Sequence, residues 1–280
     1  MHRRYPFGNA GRDVNEKARR KRGGRRFLRL GAVFLFLLLS GCVHLATEQE
    51  KEASFRPYIH VHVGRVPLRE YIEARTGVLV AGAVPLQVTS DKDAVGVRLK
   101  PTQADGAIDV GSAAAVSSDG YYLTASHCVR RRPVFLVIPT PAGPQAYQAR
   151  VVWTPPTDDP QCDLAILKID AAPAAVFAIA PPREIHAGAA IVTSGANGEA
   201  GGHLVSITKS NELPPIFYTL VHNVPLTHGD SGGPLILLDG RLIGVEVLIR
   251  GSYLGGDHGV ALLPDPTWLR GVLAHDRVAP

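Results

Sequence analysis

The chain has 280 residues, of which 45% are hydrophobic and 20% are charged, with 29 glycines and 22 prolines. This composition is typical of a globular protein and excludes a chain that is disordered, collagen-like or coiled-coil throughout. The formal net charge is +5, but residues 1–41 alone carry eleven basic and two acidic side chains. Residues 42–280 carry 19 basic and 23 acidic side chains, so we expect no nucleic acid as a principal partner.

The first predicted element is an export signal. A basic stretch precedes the apolar run Leu30–Leu39, which as a helix would rise about 15 Å, too little to span a bilayer core of about 30 Å. This combination is typical of a secretory signal. The end of the run, Leu39-Ser40-Gly41-Cys42, resembles the lipobox of bacterial lipoproteins.

The lipobox resemblance implies a signal peptide over residues 1–41 and a lipid on Cys42, which would tether the following domain to a membrane of the cell envelope, outside the cytoplasm. If the cell has an outer membrane, Val43 favours that membrane over retention at the inner one. The alternative is an uncleaved signal anchor, which also leaves the domain outside the cytoplasm. The stretch 25–29 also resembles a twin-arginine export signal that lacks one spacer residue.

Residues 42–92 are predicted as a tether and an N-terminal extension. Residues 43–55 are polar and charged, as expected of a tether, and the alternation of apolar and polar residues in Ile59–Val63 predicts a strand. His60 and His62 are expected to lie on its solvated face and not to hold a metal. The sequence assigns no role to residues 56–90.

Short β-prone runs recur between glycines and prolines from residue 93 onward. Eleven such runs predict an all-β barrel or sandwich over residues 93–280, and Thr267–Leu273 favours a short final helix. The runs are Ala94–Leu99, Ala113–Ser117, Tyr121–Ala125, Val134–Ile138, Ala149–Trp153, Leu164–Ile169, Ala189–Thr193, Leu204–Thr208, Leu235–Leu238, Leu242–Ile249 and Gly259–Leu263.

Three stretches carry residue types that act together in nucleophilic catalysis: Leu123–Cys128, Cys162–Lys168 and His228–Leu235. A serine hydroxyl is a poor nucleophile at neutral pH and needs a neighbouring base. A histidine can accept that proton and return it to a leaving amine, and a buried carboxylate fixes the useful tautomer. The candidates for such a set are Ser231, His127 and Asp163; the family resemblance given below implies their roles as nucleophile, base and partner of the base.

Three other aspartates are alternatives to Asp163. Asp158 and Asp159 lie in a proline-rich loop, and Asp170 ends a predicted strand. Asp163 begins an apolar run and would enter the core, where a carboxylate needs a partner, so it is the preferred candidate.

The three stretches, in the order His, Asp, Ser, resemble the trypsin-like (chymotrypsin-fold) serine peptidases over about residues 93–270. Gly111–Ala113 and Asp119–Thr124 are most similar to the bacterial Do-like, heat-shock type branch. The resemblance implies two six-stranded antiparallel Greek-key β-barrels with the active site between them. It also implies an oxyanion hole formed by the N–H groups of Gly229 and Ser231, and no metal or cofactor.

Two features depart from the family. The animal enzymes pair the aspartate before the serine with a newly cleaved N-terminus, but no such start is visible here, so Asp230 must find another partner or be solvated. No PDZ-like module is expected after residue 270, so the peptide-sensing regulation of the Do-like branch cannot be carried over.

The substrate pocket is predicted from Pro225, Leu226, Glu246 and Val247. Trypsin has an aspartate six residues before the serine, where this chain has Pro225, so a trypsin-type pocket is not favoured. Glu246, with Asp257 near the other wall, would favour a basic residue before the scissile bond. The alternative is that Glu246 pairs elsewhere and the pocket accepts a small or medium apolar side chain.

With Cys42 lipidated, Cys128 and Cys162 are left as an even pair in an oxidising compartment. Each adjoins a predicted active-site residue, which makes a disulfide plausible; the alternative is two small buried thiols.

The sequence thus predicts a membrane-tethered serine endopeptidase that hydrolyses protein or peptide substrates through an acyl-enzyme. The alternative is a catalytically silent scaffold or binding protein with the trypsin fold. A minor one is an esterase or amidase that uses the same site.

Overall fold

The structure, a computed structural model, describes residues 45–91, 94–156, 162–196, 198–210, 217–250 and 258–279. The signal peptide and Cys42 lie outside the described residues, as do Asp158, Asp159 and Asp257. Within those ranges, every helix is too short or too polar to cross a membrane.

The segment that was predicted as a tether contains a docked helix. Thr47 caps helix α1 (Glu48–Phe55) through a capping box with Glu50, because each side chain accepts the backbone N–H of the other residue. Phe55 at its end is fully buried. After a 3₁₀ turn, the hairpin β1 (His62–Val63) and β2 (Val66–Pro67) leads to helix α2 (Leu68–Glu73).

The predicted strand Ile59–Val63 is therefore confined to its last two residues, because Ile59 ends the 3₁₀ turn Arg56–Tyr58. His60 and His62 are both exposed.

The first barrel begins earlier than the predicted domain boundary at residue 93, since β3 is one of its strands. It closes in the order β10-β7-β6-β3-β8-β9, and β4 pairs with β5 in a separate hairpin. Gly77 weakens the sequence pattern of β3 as a strand, and in the structure a Cβ there would lie 2.8 Å from Leu136 Cδ1. The strands are β3 (Thr76–Ala81), β4 (Ala83–Asp91), β5 (Ala94–Pro101), β6 (Asp109–Ala115), β7 (Tyr121–Thr124), β8 (Val134–Ile138), β9 (Gln145–Trp153) and β10 (Ala165–Ile169).

The second barrel is closed in the order β11-β12-β13-β16-β15-β14. Its strand β13 is absent from the eleven predicted runs. The strands are β11 (Ala190–Gly195), β12 (Gly198–Lys209), β13 (Phe217–His222), β14 (Pro234–Leu237), β15 (Leu242–Arg250) and β16 (His258–Pro264). Two closed six-stranded antiparallel barrels confirm the predicted fold class.

The final helix, α3 (Pro266–Val278), is longer than the predicted Thr267–Leu273. Asp265 caps it by accepting the N–H groups of the first turn. Its Trp268 ring packs edge-on against Trp153 of the first barrel at 4.8 Å between centroids. Asp276 accepts the Tyr121 hydroxyl at 2.7 Å. The helix therefore packs against one side of the first barrel.

Candidate active site

The first barrel brings His127 and Asp163 together. His127 lies in the 3₁₀ helix Ser126–Val129 that follows β7, and Asp163 lies two residues before β10. These two strands pair, with Thr124 opposite Ala165, so the end of one faces the start of the other. The ring Nδ1 of His127 is 2.5 Å from Asp163 Oδ2.

The other carboxylate oxygen, Asp163 Oδ1, accepts the Ser126 hydroxyl at 2.6 Å and the backbone N–H of His127 at 2.8 Å. Burial opposes ionisation of this carboxyl, but the hydrogen bonds from His127 and Ser126 outweigh it and lower its pKa. The hydrogen bond to Asp163, and next the side chain of Cys128, raises the pKa of His127 above the ordinary histidine value. The Asp163 carboxylate therefore stabilises the protonated form of His127.

Ser231 comes from the second barrel, in the loop before β14. Its carbonyl accepts the N–H of Ser112 in β6 at 2.8 Å, and the next N–H, that of Gly232, donates to Glu246 O in β15 at 2.6 Å. Gly232 has φ +81°, and a Cβ there would lie 2.1 Å from Ser112 O. Only glycine allows this approach, which fixes the serine loop against both barrels.

Ser231 and His127 line one cavity of about 400 Å³. Gly229, with φ +96°, lines it as well. Asp163 lies behind His127 and contacts its ring Nδ1 through Oδ2. The structure thus brings the three predicted catalytic residues and the predicted oxyanion-hole glycine to one place. The cavity is lined by Ile108, Asp109, Val110, His127, Cys128, Ala196, His228, Gly229 and Ser231.

The four residues predicted for the substrate pocket do not line this cavity. Leu226 and Val247 are buried, and Pro225 is half-buried. Glu246 is 1% exposed, and its Oε2 lies 2.9 Å from Nε2 of the fully buried His222. Glu246 therefore has the partner elsewhere that the sequence left as the alternative.

Neither Cys128 nor Cys162 forms a disulfide in the structure, which agrees with the alternative of two buried thiols. Both thiols are buried, and Cys128 Sγ lies 3.8 Å from Ser231 O. The missing side chain at Gly111 leaves room for this sulfur, because a Cβ there would lie 2.7 Å from it. Asp170, the described alternative to Asp163, is fully exposed beside Lys168.

A lysine that no sequence motif identified contacts the serine loop. Lys51, in the segment predicted as a tether, is 1% exposed, and its Nζ lies 2.7 Å from both carboxylate oxygens of Asp230. The local signal for a helix there was the sequence Thr47-Glu48-Gln49-Glu50, which matches a capping box.

Comparison with known proteins finds similarity over the region that contains the candidate site. The family profile described as "Trypsin-like peptidase domain" matches residues 111–245. A probable periplasmic serine endoprotease, DegP-like, from Pseudomonas fluorescens is 30% identical over 156 residues, 52% of this chain and 31% of that protein. Its counterpart from a Marinomonas species is 29% identical over 164 residues, 55% of this chain and 34% of that protein. The chain thus spans about a third of the length of these relatives.

Two solved structures share the fold. The HtrA-type protease AlgW with a decapeptide has a TM-score of 0.53 at 20% identity, over 75% of this chain and 67% of that one. The active form of the Rv3671c protease from M. tuberculosis has a TM-score of 0.50 at 21% identity, over 74% of this chain and 83% of that one.

Proposed function

We propose that this chain is a serine endopeptidase that acts outside the cytoplasm. The match of residues 111–245 to the profile of a trypsin-like peptidase domain supports this proposal. The observation that carries the proposal is the arrangement of His127 between the half-buried Asp163 carboxylate and the cavity that Ser231 lines. This arrangement supports the proposal, because an activated serine needs a base on the same cavity, a group that fixes the tautomer of that base, and space for a substrate.

The reaction divides hydrolysis into two steps. Ser231 Oγ attacks the carbonyl carbon of the scissile peptide while His127 Nε2 takes its proton. The resulting oxyanion is bound by the N–H groups of Gly229 and Ser231. The C–N bond then breaks, His127 gives its proton to the leaving amine, and an acyl-enzyme on Ser231 remains. Water, deprotonated by His127, hydrolyses that ester and restores the serine.

The lining of the cavity supports a preference among substrates. Ile108, Val110 and Ala196 provide apolar surface, and Glu246 is engaged by His222. We therefore assign a small or medium apolar residue before the scissile bond. The relatives are named periplasmic, which supports export, and Cys42 is proposed as the site of the lipid that tethers the chain to a membrane of the cell envelope.

The test is labelling by a fluorophosphonate in membranes from cells that express the full chain. We expect labelling of the wild-type chain, its complete loss in Ser231→Ala, and no change in Ser118→Ala, where the serine lies in an exposed turn. Internally quenched peptides with blocked ends then separate endopeptidase from esterase activity. A folded wild-type chain that is neither labelled nor cleaves peptides would refute the proposal and favour the silent scaffold.

A further inference from the structure

The aspartate next to the predicted nucleophile carries a buried ion pair. Lys51 Nζ lies 2.7 Å from Oδ1 and 2.7 Å from Oδ2 of Asp230, and each side chain is 1% exposed. The two residues are 179 positions apart in the chain. Such a pair is made at the cost of removing two charges from water, so its geometry has to be well defined.

Lys51 lies in a helix that packs closely against the second barrel. Helix α1 lies against β12, where Gly201 N–H donates to Ser54 Oγ at 3.1 Å. A Cβ at Gly201 would lie 2.1 Å from Tyr58 Cε2, so only glycine permits this approach. Ahead of the helix, Ala46 N–H donates to Leu226 O at 2.9 Å. The segment 46–58 is therefore anchored at both ends, which fixes the position of Lys51.

Asp230 in turn fixes the loop that contains the two predicted oxyanion-hole donors. Its Oδ2 also accepts the N–H of Thr227 at 2.9 Å, and its own N–H donates back to Thr227 O at 3.2 Å. A Cβ at Gly195 would lie 2.3 Å from Asp230 Oδ1, so the carboxylate sits in a space that glycine leaves open. With its carboxylate held inward, the residue sets the backbone on both sides, at Gly229 and Ser231.

We propose that Lys51 is a positioning residue, which holds the oxyanion hole in its productive conformation by compensating the buried charge of Asp230. The inference rests on the proposed serine-peptidase function and adds a residue to it. Without a cation beside it, the carboxylate would leave its buried position for water, because an unpaired buried charge is strongly unfavourable. The loop would then turn away from the conformation that directs both N–H groups at the cavity.

The cation that compensates Asp230 belongs to the side chain of Lys51. Formation of this oxyanion hole therefore does not depend on a newly created N-terminal amine. The segment that contains α1 is part of the catalytic unit, although it precedes the first barrel and the residues that the family profile matches.

The test compares Lys51→Met with the wild type, both as full chains in membranes. Methionine is close to lysine in length but neutral. We expect kcat to fall about 10²–10³-fold, the loss typical of one oxyanion-hole donor, with KM changed much less. Inhibition by a peptide aldehyde, whose adduct places an oxyanion in the hole, should weaken by the same factor. Lys209→Met, at an exposed lysine in β12, is the matched control and should leave all three constants unchanged.

A second variant separates the charge from a general effect on folding. In Lys51→Met/Asp230→Asn no charge needs compensation, so activity should return to within about tenfold of the wild type. The inference is overturned if Lys51→Met keeps kcat within twofold, or if the double variant is folded and as inactive as the single one. If Lys51→Met does not fold, the kcat of the double variant decides alone. A wild-type chain that no fluorophosphonate labels would instead count against the proposed function.

Discussion

Replacing Asp163 by asparagine tests the tautomer of His127 directly, because the structure determines how the new amide would be oriented. Asp163 Oδ1 accepts two hydrogen bonds, from the Ser126 hydroxyl and the His127 backbone N–H, whereas Oδ2 accepts one, from His127 Nδ1. The asparagine oxygen would keep the position with two donors, since the opposite rotamer would lose both bonds. Its NH₂ group then faces Nδ1.

An NH₂ group at 2.5–3 Å from Nδ1 forces that nitrogen to act as an acceptor. The ring proton then moves to Nε2, the atom that must accept the proton of Ser231, and the base is blocked. Loss of the correct tautomer in a triad costs about 10⁴-fold in kcat, which corresponds to about 5 kcal/mol of activation free energy. The hydrogen bonds to Ser126 and the His127 backbone remain, so we expect the fold to be retained.

The assay is the cleavage rate of an internally quenched peptide by Asp163→Asn, with circular dichroism as the check of folding. Ser231→Ala gives the background rate. The matched control is Asp170→Asn, which changes an exposed carboxylate to the same amide and should leave kcat unchanged. If Asp163→Asn keeps more than a tenth of the wild-type kcat, the assigned role of Asp163 is wrong.

Three further outcomes are expected. The pKa of His127 is raised by its hydrogen bond to Asp163, so kcat/KM should fall as the pH drops through a value above about 6.5; ¹⁵N NMR of Ser231→Ala should show that midpoint, and its decrease in the Asp163→Asn background. Gly232 has a positive φ, and a Cβ there would clash with Ser112 O. Gly232→Ala should therefore lower the free energy of unfolding, measured in urea, by more than the roughly 1–2 kcal/mol of backbone strain alone. Gly143→Ala has a positive φ and open space and should lose only that strain; equal losses would contradict the packing argument. Cys42→Ala should abolish incorporation of an alkyne fatty acid and release the chain from membranes, whereas retention would indicate an uncleaved anchor.

The three candidate catalytic residues could be proposed from sequence because each lies in a short motif whose chemistry is local. The paired strands β7 and β10 then place His127 beside Asp163. The fold class was predictable for the same reason, since turn residues separate most of its strands. The strand β3 (Thr76–Ala81) lies in the segment to which the sequence assigned no role, and Gly77 near its start weakens the strand pattern.

The position of Glu246 illustrates what alignment along a single strand cannot predict. Alignment on Gly244, in the strand that follows the serine, directed Glu246 toward the substrate pocket. The register between β15 and β16 shifts between Glu246 and Leu248, and the carboxylate contacts His222 of β13. Both facts depend on neighbouring strands that no local pattern reveals. Lys51 is a similar case, since its partner is 179 residues away.

The stability of the Lys51–Asp230 pair and its role in catalysis are separable. Removing one partner of a buried ion pair costs about 3–5 kcal/mol, whereas replacing both by neutral residues of similar size is often neutral or stabilising. Lys51→Met should therefore unfold at lower denaturant concentration than the wild type, and Lys51→Met/Asp230→Asn at a similar or higher one. If the double variant instead lost as much unfolding free energy as the single one, the pair would be needed chiefly for stability. If the double variant is as stable as the wild type, the Lys51–Asp230 pair is not needed for stability. Its role is then the backbone conformation that it imposes between Gly229 and Ser231.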